Sequence, residues 1–237
     1  MKIWVFHVFW HTLLHLVYYV NLKIITGLKL VGRLEIKSHE KIKEFLNEEH
    51  VGRIASIDEN GFPQIIPMNF AFLNDVIYMH SYPRGEKIEN ILKNNKVGFE
   101  VDRELEFLPS YFSHPTDASQ ADTLYISVVI KGTAFLVEDD SEKTLALNGL
   151  MKKYQPEGHY QPIKENDLVL DEVAVIKVVP QSIKGKYKIG QQLRPESRKI
   201  LAKKILDRNS RTAKETIKIM GFEITENGLE MIDEKTW

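Results

Sequence analysis

The sequence contains no cysteine among its 237 residues. Disulfides, a thiolate nucleophile and cysteine-ligated zinc or iron–sulfur centres are therefore excluded, and the composition fits a reducing compartment such as the cytoplasm. Neither sign of charge dominates, because the formal net charge is −1. Hydrophobic residues make up 43% of the chain and charged residues 27%, which is typical of a globular protein with a sizeable core.

The charge is nevertheless uneven along the chain. Residues 181–218 carry twelve lysines and arginines against three acidic residues. Such a segment is most often a solvated helical face, and less often an anion or nucleic-acid surface. We therefore expect no nucleic-acid partner.

Charged residues are also missing from residues 3–20, IWVFHVFWHTLLHLVYYV. This length approaches the roughly 20 residues that span a bilayer, and the lysines that follow would keep the rest of the chain cytoplasmic. Histidines inside the segment argue against lipid, so an over-long start or a buried helix are alternatives. We assign residues 1–33 to an N-terminal extension and expect a cytoplasmic protein, attached to a membrane only if 3–20 is an anchor.

The next part of the chain alternates between strand and turn signals. Ser38 is a plausible N-cap for a helix over residues 39–50. Strands over 51–58, 62–73 and 76–81 are joined by Asn60-Gly61 and Asn74-Asp75 turns, which predicts an antiparallel meander.

A helix over residues 84–95 follows, with an apolar face of Ile88, Ile91 and Leu92. The next elements are expected as a strand over 96–102, an irregular insertion over 103–122, and a strand over 124–139 with a bulge or bend at Gly132. A helix from Asp139, a strand over 172–180 ended by Pro180, and one or two helices over 195–219 complete the chain. Six strands with few helices favour a small closed or partly closed barrel.

The second strand carries Pro63 and Pro67 on one face. Proline donates no hydrogen bond to a ladder, so the strand is expected at a sheet edge or at a bulge. A second interpretation is that the backbone of Pro67, Met68, Asn69 and Phe70 is left free to meet a flat ligand.

The segment HSYPRGEKIENI combines a strand end with a helix start. Ser81, Arg84 and Lys87 surround this start, where free N–H groups and the helix dipole attract phosphate. Ordinary surface charges are the alternative. His80 is either a structural strand histidine or an acid–base group. His114, Asp117 and Asp122 lack the spacing of metal ligands, so no metal site is expected.

The run VGRIASIDENGFPQIIPMNFAFLNDVIYMHSYPRGEKIENILKNNKVGFEVD resembles the pyridoxamine 5′-phosphate oxidase-like family, in the branch that includes the nitroimidazole-resistance (Nim) proteins. The similarity extends over residues 34–195, which we take as one domain, with 196–237 as a basic helical extension. It implies a mainly β fold, a six-stranded antiparallel split β-barrel of the FMN-binding type with peripheral helices. It also implies a homodimer with FMN at the subunit interface.

The residues matched to the flavin site are Pro67, Met68, Asn69, Phe70, His80, Ser81, Arg84, Lys87, Tyr125 and Ser127. By this resemblance the first four lie along the flavin ring, while Ser81 and Lys87 hold the phosphate with help from Arg84. Tyr125 and Ser127 reach the flavin from the other subunit, and His80 is the candidate catalytic residue.

The sequence departs from true pyridoxamine phosphate oxidases in lacking a counterpart of their C-terminal Arg/His substrate motif. Oxidation of vitamin B6 is therefore not expected. The resemblance instead implies an FMN-dependent oxidoreductase that acts on a small aromatic or nitroaromatic acceptor. The alternative is a non-catalytic protein that binds, stores or senses FMN.

Overall fold

The computed structural model describes residues 34–232, and those from Ile36 onwards belong to one compact unit. The interpretations of residues 3–20 lie outside the described residues. Among the helices of the described range, none is long and apolar enough to cross a membrane.

Ten strands are described. They are β1 (Glu35–Ile36), β2 (Val51–Ile57), β3 (Pro63–Asn69), β4 (Ala71–Leu73), β5 (Val76–Ser81), β6 (Lys96–Leu108), β7 (Asp122–Leu136), β8 (Ala174–Lys188), β9 (Phe222–Thr225) and β10 (Gly228–Met231). The α-helices are α1 (His39–Glu48), α2 (Glu86–Lys93), α3 (Asp140–Tyr154), α4 (Val169–Glu172), α5 (Pro195–Arg208) and α6 (Ala213–Ile219), and short 3₁₀ turns cover Ser110–Phe112 and Ala118–Gln120.

The main sheet is antiparallel and has the strand order β3-β2-β6-β7-β8-β5-β4. Its hydrogen-bonded path stays open between β3 and β4. These two outer strands follow each other in the chain with only Phe70 between them, so one bent segment serves both ends of the path. Counted in this way the path has six strands, with the short β1 paired beside β8, and the predicted split β-barrel with flanking helices is confirmed.

Local sequence signals explain the tight turns and the first helix. The Ser38 side chain accepts a hydrogen bond from the Lys41 N–H at 3.3 Å, as an N-cap does. Asn74 and Asp75 both have positive φ, 51° and 64°, the conformation that a two-residue hairpin turn requires.

The barrel interior is filled by apolar side chains from the strands and from α2. Phe70 and Phe99 meet edge to face with ring centroids 5.2 Å apart, and Ile88 and Ile91 of α2 are buried in the same cluster. Leu92, predicted on this apolar face, is instead 69% exposed. The prediction was wrong because an eight-residue helix buries a narrow stripe, which Ile88 and Ile91 occupy with Asn90.

Two strands are longer than predicted. β6 continues to Leu108, so the irregular segment begins at residue 109 rather than 103. Leu105 is an extra residue at a bulge, between the pairs Glu104–Tyr125 and Glu106–Leu124, and this hides the alternation of strand residues.

The last strand of the barrel does not end at Pro180, as predicted, but continues to Lys188. Pro180 lies opposite Gly132, next to the register shift of β7 and β8. A proline is tolerated where the ladder is already irregular. The irregularity expected at Gly132 is present, but its extra residue is Gln181 of β8 rather than Gly132 itself. A Cβ at Gly132 would lie 2.6 Å from the Val179 carbonyl oxygen.

The C-terminal elements pack on the same barrel. Arg103 of β6 pairs with Glu48 of α1 and with Glu215 of α6, at 3.0 and 3.1 Å. Glu106, whose side chain is 1% exposed, pairs with Arg208 of α5 at 2.9 Å. These ion pairs connect α5 and α6 to the centre of β6.

Candidate functional site

The junction between β5 and α2 gathers the residues predicted to hold a phosphate. Ser81 ends β5 and is buried, and its hydroxyl donates to the Tyr82 carbonyl at 2.9 Å. Gly85 precedes α2 with φ 119° and ψ 167°, a conformation essentially restricted to glycine. No side chain caps the helix. The Ile88 N–H donates to the Gly85 carbonyl at 2.9 Å, whereas those of Glu86 and Lys87 have no acceptor within the described residues.

Two cations flank this uncapped helix start. Arg84 is exposed, Lys87 is half-buried, and neither forms a hydrogen bond or ion pair with any residue from 34 to 232. A Cβ at Gly85 would have no heavy atom within 4 Å, so the space before the helix is open. Glu86 and Glu89 in the first turn partly offset the positive potential. The junction has the donors and the room that an anion such as phosphate needs.

The second predicted group lies on β3, at one end of the sheet path. Pro67 and Asn69 are exposed on its outer face, and Met68 is half-buried on the inner face. β3 pairs with β2 along one edge, and the main sheet places no second strand on its other edge. The expectation that the prolines mark an edge strand is confirmed, and backbone groups on that edge are available to a flat ligand.

A buried asparagine connects α2 with β2 and β3. Asn90 of α2 lies 3.4 Å from both the Ser56 hydroxyl and the Gln64 amide oxygen, through its Nδ2 atom. Gln64 belongs to β3, and Lys87 lies one turn before Asn90 on the same side of the helix. The middle of α2 is therefore attached to β3 at Gln64, three residues before Pro67.

Asn90 and Gln64 were not predicted from the sequence. The available signal was a polar residue within the apolar stripe of α2. A buried amide needs a partner, and that requirement points to a polar contact of α2 with the barrel.

The bend between β3 and β4 is held by α3. Phe70 is fully buried at this bend, and the hydroxyl of Tyr154 contacts its backbone. The neighbouring Lys153 places its Nζ atom 3.7 Å from the Phe70 ring centroid and donates to the Leu46 carbonyl at 2.8 Å. Burial lowers the pKa of Lys153 to about 8, and the charge of Glu49 opposes this shift.

His80 lies on β5 opposite Val175 of β8. Its side chain is exposed, and it has no hydrogen-bond partner within the described part of the chain. No carboxylate of the described chain contacts the His80 ring. A single chain thus presents an imidazole that can donate or accept a proton, but not the carboxylate that orients the histidine of a catalytic triad.

Tyr125 and Ser127 lie on β7 and are half-buried. Between β7 and β3 the sheet inserts β6 and β2, which separates the two strands by roughly 14 Å along the sheet. On these two strands Arg53 of β2 pairs with Glu100 of β6 at 3.0 Å and also with Asp102. Burial is the main cause that raises the pKa of the Glu100 carboxyl. Within one chain, Tyr125 and Ser127 are therefore not brought to the residues of β3 that were predicted to lie along a flavin.

No group of three or more potential metal-ligating side chains occurs among residues 34–232. The candidate site is thus the β5–α2 junction together with the edge of β3.

The family model described as pyridoxamine 5′-phosphate oxidase matches residues 38–187. No curated protein sequence matches the chain.

Solved structures with the same fold are numerous. A protein assigned to 5-nitroimidazole antibiotic resistance from Bacteroides thetaiotaomicron is 25% identical with a TM-score of 0.55, over 65% of this chain and 86% of its own. A flavocytochrome from Azotobacter vinelandii is 17% identical with a TM-score of 0.56, over 65% and 69% of the two chains. An FAD- and heme-binding protein from Mycobacterium smegmatis is 13% identical with a TM-score of 0.55, over 65% and 73%.

Proposed function

Because the chain belongs to the pyridoxamine 5′-phosphate oxidase family, we propose that it binds FMN and works as a flavin-dependent oxidoreductase. The single observation that supports this best is the β5–α2 junction, with its uncapped helix start and the unpaired cations Arg84 and Lys87. In this proposal Ser81, Arg84 and Lys87 hold the phosphate. The edge of β3 from Pro67 to Asn69 lies along the flavin ring.

The protein acts as a homodimer in this proposal. Tyr125 and Ser127 lie three strands from β3 in one chain, so they serve the flavin of the partner subunit. The flavin supplies the electron chemistry when bound, and the protein groups bind and orient it. His80, exposed and without an intrachain partner, is the group that would hold or deliver a proton to a small aromatic or nitroaromatic acceptor.

The test of FMN binding is the absorption spectrum of the purified protein. We expect flavin bands in the wild type, their loss in Lys87→Ala, and their retention in Lys93→Ala. Lys93 is the matched control, because it lies at the far end of α2 and pairs with Glu59 at 3.4 Å. A colourless protein that cannot be loaded with FMN overturns the proposal, and chromatography of the released flavin distinguishes FMN from FAD.

A non-catalytic FMN-binding protein is the second candidate. The observation that favours it is that no carboxylate orients the His80 ring within the described chain. Anaerobic bleaching of the yellow protein by a reduced nicotinamide, followed by reoxidation with a nitroaromatic, supports the oxidoreductase. Failure of every donor to reduce the flavin favours the binding protein.

A further inference from the structure

A cleft of about 630 Å³ opens at the end of the barrel that carries Tyr125. One wall comes from the segment between β6 and β7, and the other from the residues after β8 and from α5. The volume is within the range of small-molecule sites. The family match ends at residue 187, so the second wall consists of residues that follow the matched region.

The cleft has an apolar side. Leu108 and Leu124 of the barrel face Leu193, Ile200 and Leu201 of the C-terminal wall. Two layers of aliphatic side chains accommodate a flat apolar body.

The charges of the cleft are unbalanced. Lys188 pairs with Asp122, the single acidic residue of the described lining. Lys204 donates to the Phe112 carbonyl and has no carboxylate partner within residues 34–232. The lining therefore carries one positive charge in excess, that of the Lys204 ammonium, which can donate further hydrogen bonds.

The cleft borders the strand assigned to the flavin site. Lys188 is the direct cross-strand partner of Tyr125, and directly opposed residues point to the same face of a sheet. Lys188 and Leu124, the residue before Tyr125, both line the cleft, so the cleft adjoins the strand position of Tyr125.

We propose that this cleft binds a small aromatic carboxylate, with the ring between Leu124 and Leu201 and the carboxylate at Lys204. The role of this ligand as the electron acceptor rests on the proposed oxidoreductase function, whereas its binding does not. A neutral ring of the same shape binds more weakly, because it leaves the Lys204 ammonium without a counter-charge.

Isothermal titration calorimetry with 4-nitrobenzoate and the neutral 4-nitrobenzamide tests the proposal. In the wild type we expect the acid to bind at least about tenfold more tightly than the amide, as for a hydrogen bond to a charged group. Lys204→Met should remove this preference and Lys204→Arg should keep most of it. Lys203→Met is the control, since Lys203 is an exposed neighbour outside the cleft.

Equal affinity of the acid for the wild type and Lys204→Met, or no binding of either probe to the wild type, overturns the proposal. Ser197→Trp fills the cleft from α5 and should abolish binding of both probes while leaving the flavin bands intact. A colourless protein that cannot be loaded with FMN but still binds 4-nitrobenzoate refutes the flavin function and supports the cleft. A yellow protein that does not bind 4-nitrobenzoate refutes the cleft alone.

Discussion

The hydroxyl of Tyr154 contacts both polar backbone groups of Phe70. It accepts a hydrogen bond from the Phe70 N–H at 2.8 Å and lies 3.1 Å from the Phe70 carbonyl oxygen. The same hydroxyl reaches the carbonyl of His50, just before β2. A side chain of α3 thus replaces the strand partner that Phe70 lacks at the bend from β3 to β4.

Removal of this hydroxyl should destabilise the barrel. Tyr154→Phe leaves a buried N–H without an acceptor, which typically costs about 1–3 kcal/mol. We expect this loss in the free energy of unfolding, measured by urea denaturation. Tyr160→Phe is the control, since Tyr160 forms no hydrogen bond within residues 34–232; equal effects of the two substitutions would refute the role of the Tyr154 hydroxyl.

The buried amine of Lys153 predicts a pH dependence of stability. Its pKa is about 8 in the folded protein and 10.5 in the reference state, so between these values the unfolded chain binds more protons. The contribution of Lys153 to the free energy of unfolding therefore rises with pH from about 8 towards 10.5. Subtracting the profile of Lys153→Met from that of the wild type isolates this rise.

The range from pH 7.5 to 9.5 suits this measurement. Burial raises the pKa of Tyr78 to about 12. The stability that this shift contributes is lost only above the ordinary tyrosine pKa of about 10, and therefore outside the chosen range. Lys152→Met, at the exposed neighbouring position, should keep the wild-type profile. A flat difference between the wild type and Lys153→Met contradicts the prediction.

Gly52 lets β2 approach the ring of Phe99. A Cβ at position 52 would lie 2.1 Å from the Phe99 Cζ atom, whereas a Cβ at Gly98 would have its nearest neighbour, the Ala55 Cβ, at 3.7 Å. Gly52→Ala should therefore cost about 1–3 kcal/mol through overpacking. Gly98→Ala, on the adjoining strand, should be close to neutral in thermal denaturation, and a similar loss in both variants is the result that excludes overpacking as the cause.

Much of the fold follows from local sequence signals. The turns at Asn60-Gly61 and Asn74-Asp75, the Ser38 cap and the edge position of β3 were predicted from single residues with strong backbone preferences. The errors occurred where the pairing of two strands, distant in sequence, decides where a strand ends. Pro180 was expected to end β8, but it lies opposite Gly132 and next to Gln181, the extra residue of a bulge in β8, and no local rule contains that pairing.

Of the candidate site, only the residues that are neighbours in the sequence could be predicted to lie together. Ser81, Arg84 and Lys87 are close in sequence, so a strand–helix junction places them together. The contact of Asn90 with Gln64 joins segments 26 residues apart, and that of Tyr154 with Phe70 joins segments 84 apart. Contacts of this kind depend on how α2 and α3 pack against the barrel, which periodicity alone does not determine.

Glu106 connects the C-terminal helices to the barrel. Its buried carboxylate accepts hydrogen bonds from Arg208 and Thr212, each at 2.9 Å, and from Ser210. Glu106→Ala removes all three and should cost about 3 kcal/mol, as for a broken buried pair. Hydrogen exchange should accelerate between α5 and α6, while Glu104→Ala, an exposed change on the same strand, should have little effect; uniform protection in both variants contradicts this.

Gly85 tests whether the backbone before α2 is part of the flavin site. Its φ of 119° and ψ of 167° are strained for alanine by about 1–3 kcal/mol, so Gly85→Ala should turn the helix start away from its present direction without removing a charge. We expect FMN affinity to fall about tenfold, measured by the quenching of flavin fluorescence on titration with apoprotein.

Gly158→Ala is the matched control for Gly85→Ala. Gly158 also has a positive φ, 78°, and a Cβ there would also have no neighbour within 4 Å, but it lies in the loop after α3. The substitution should cost stability through the same kind of strain and leave FMN affinity unchanged. If both variants retain the wild-type affinity, the N–H groups at the start of α2 do not hold the phosphate, and Arg84 and Lys87 would have to bind it through their side chains alone.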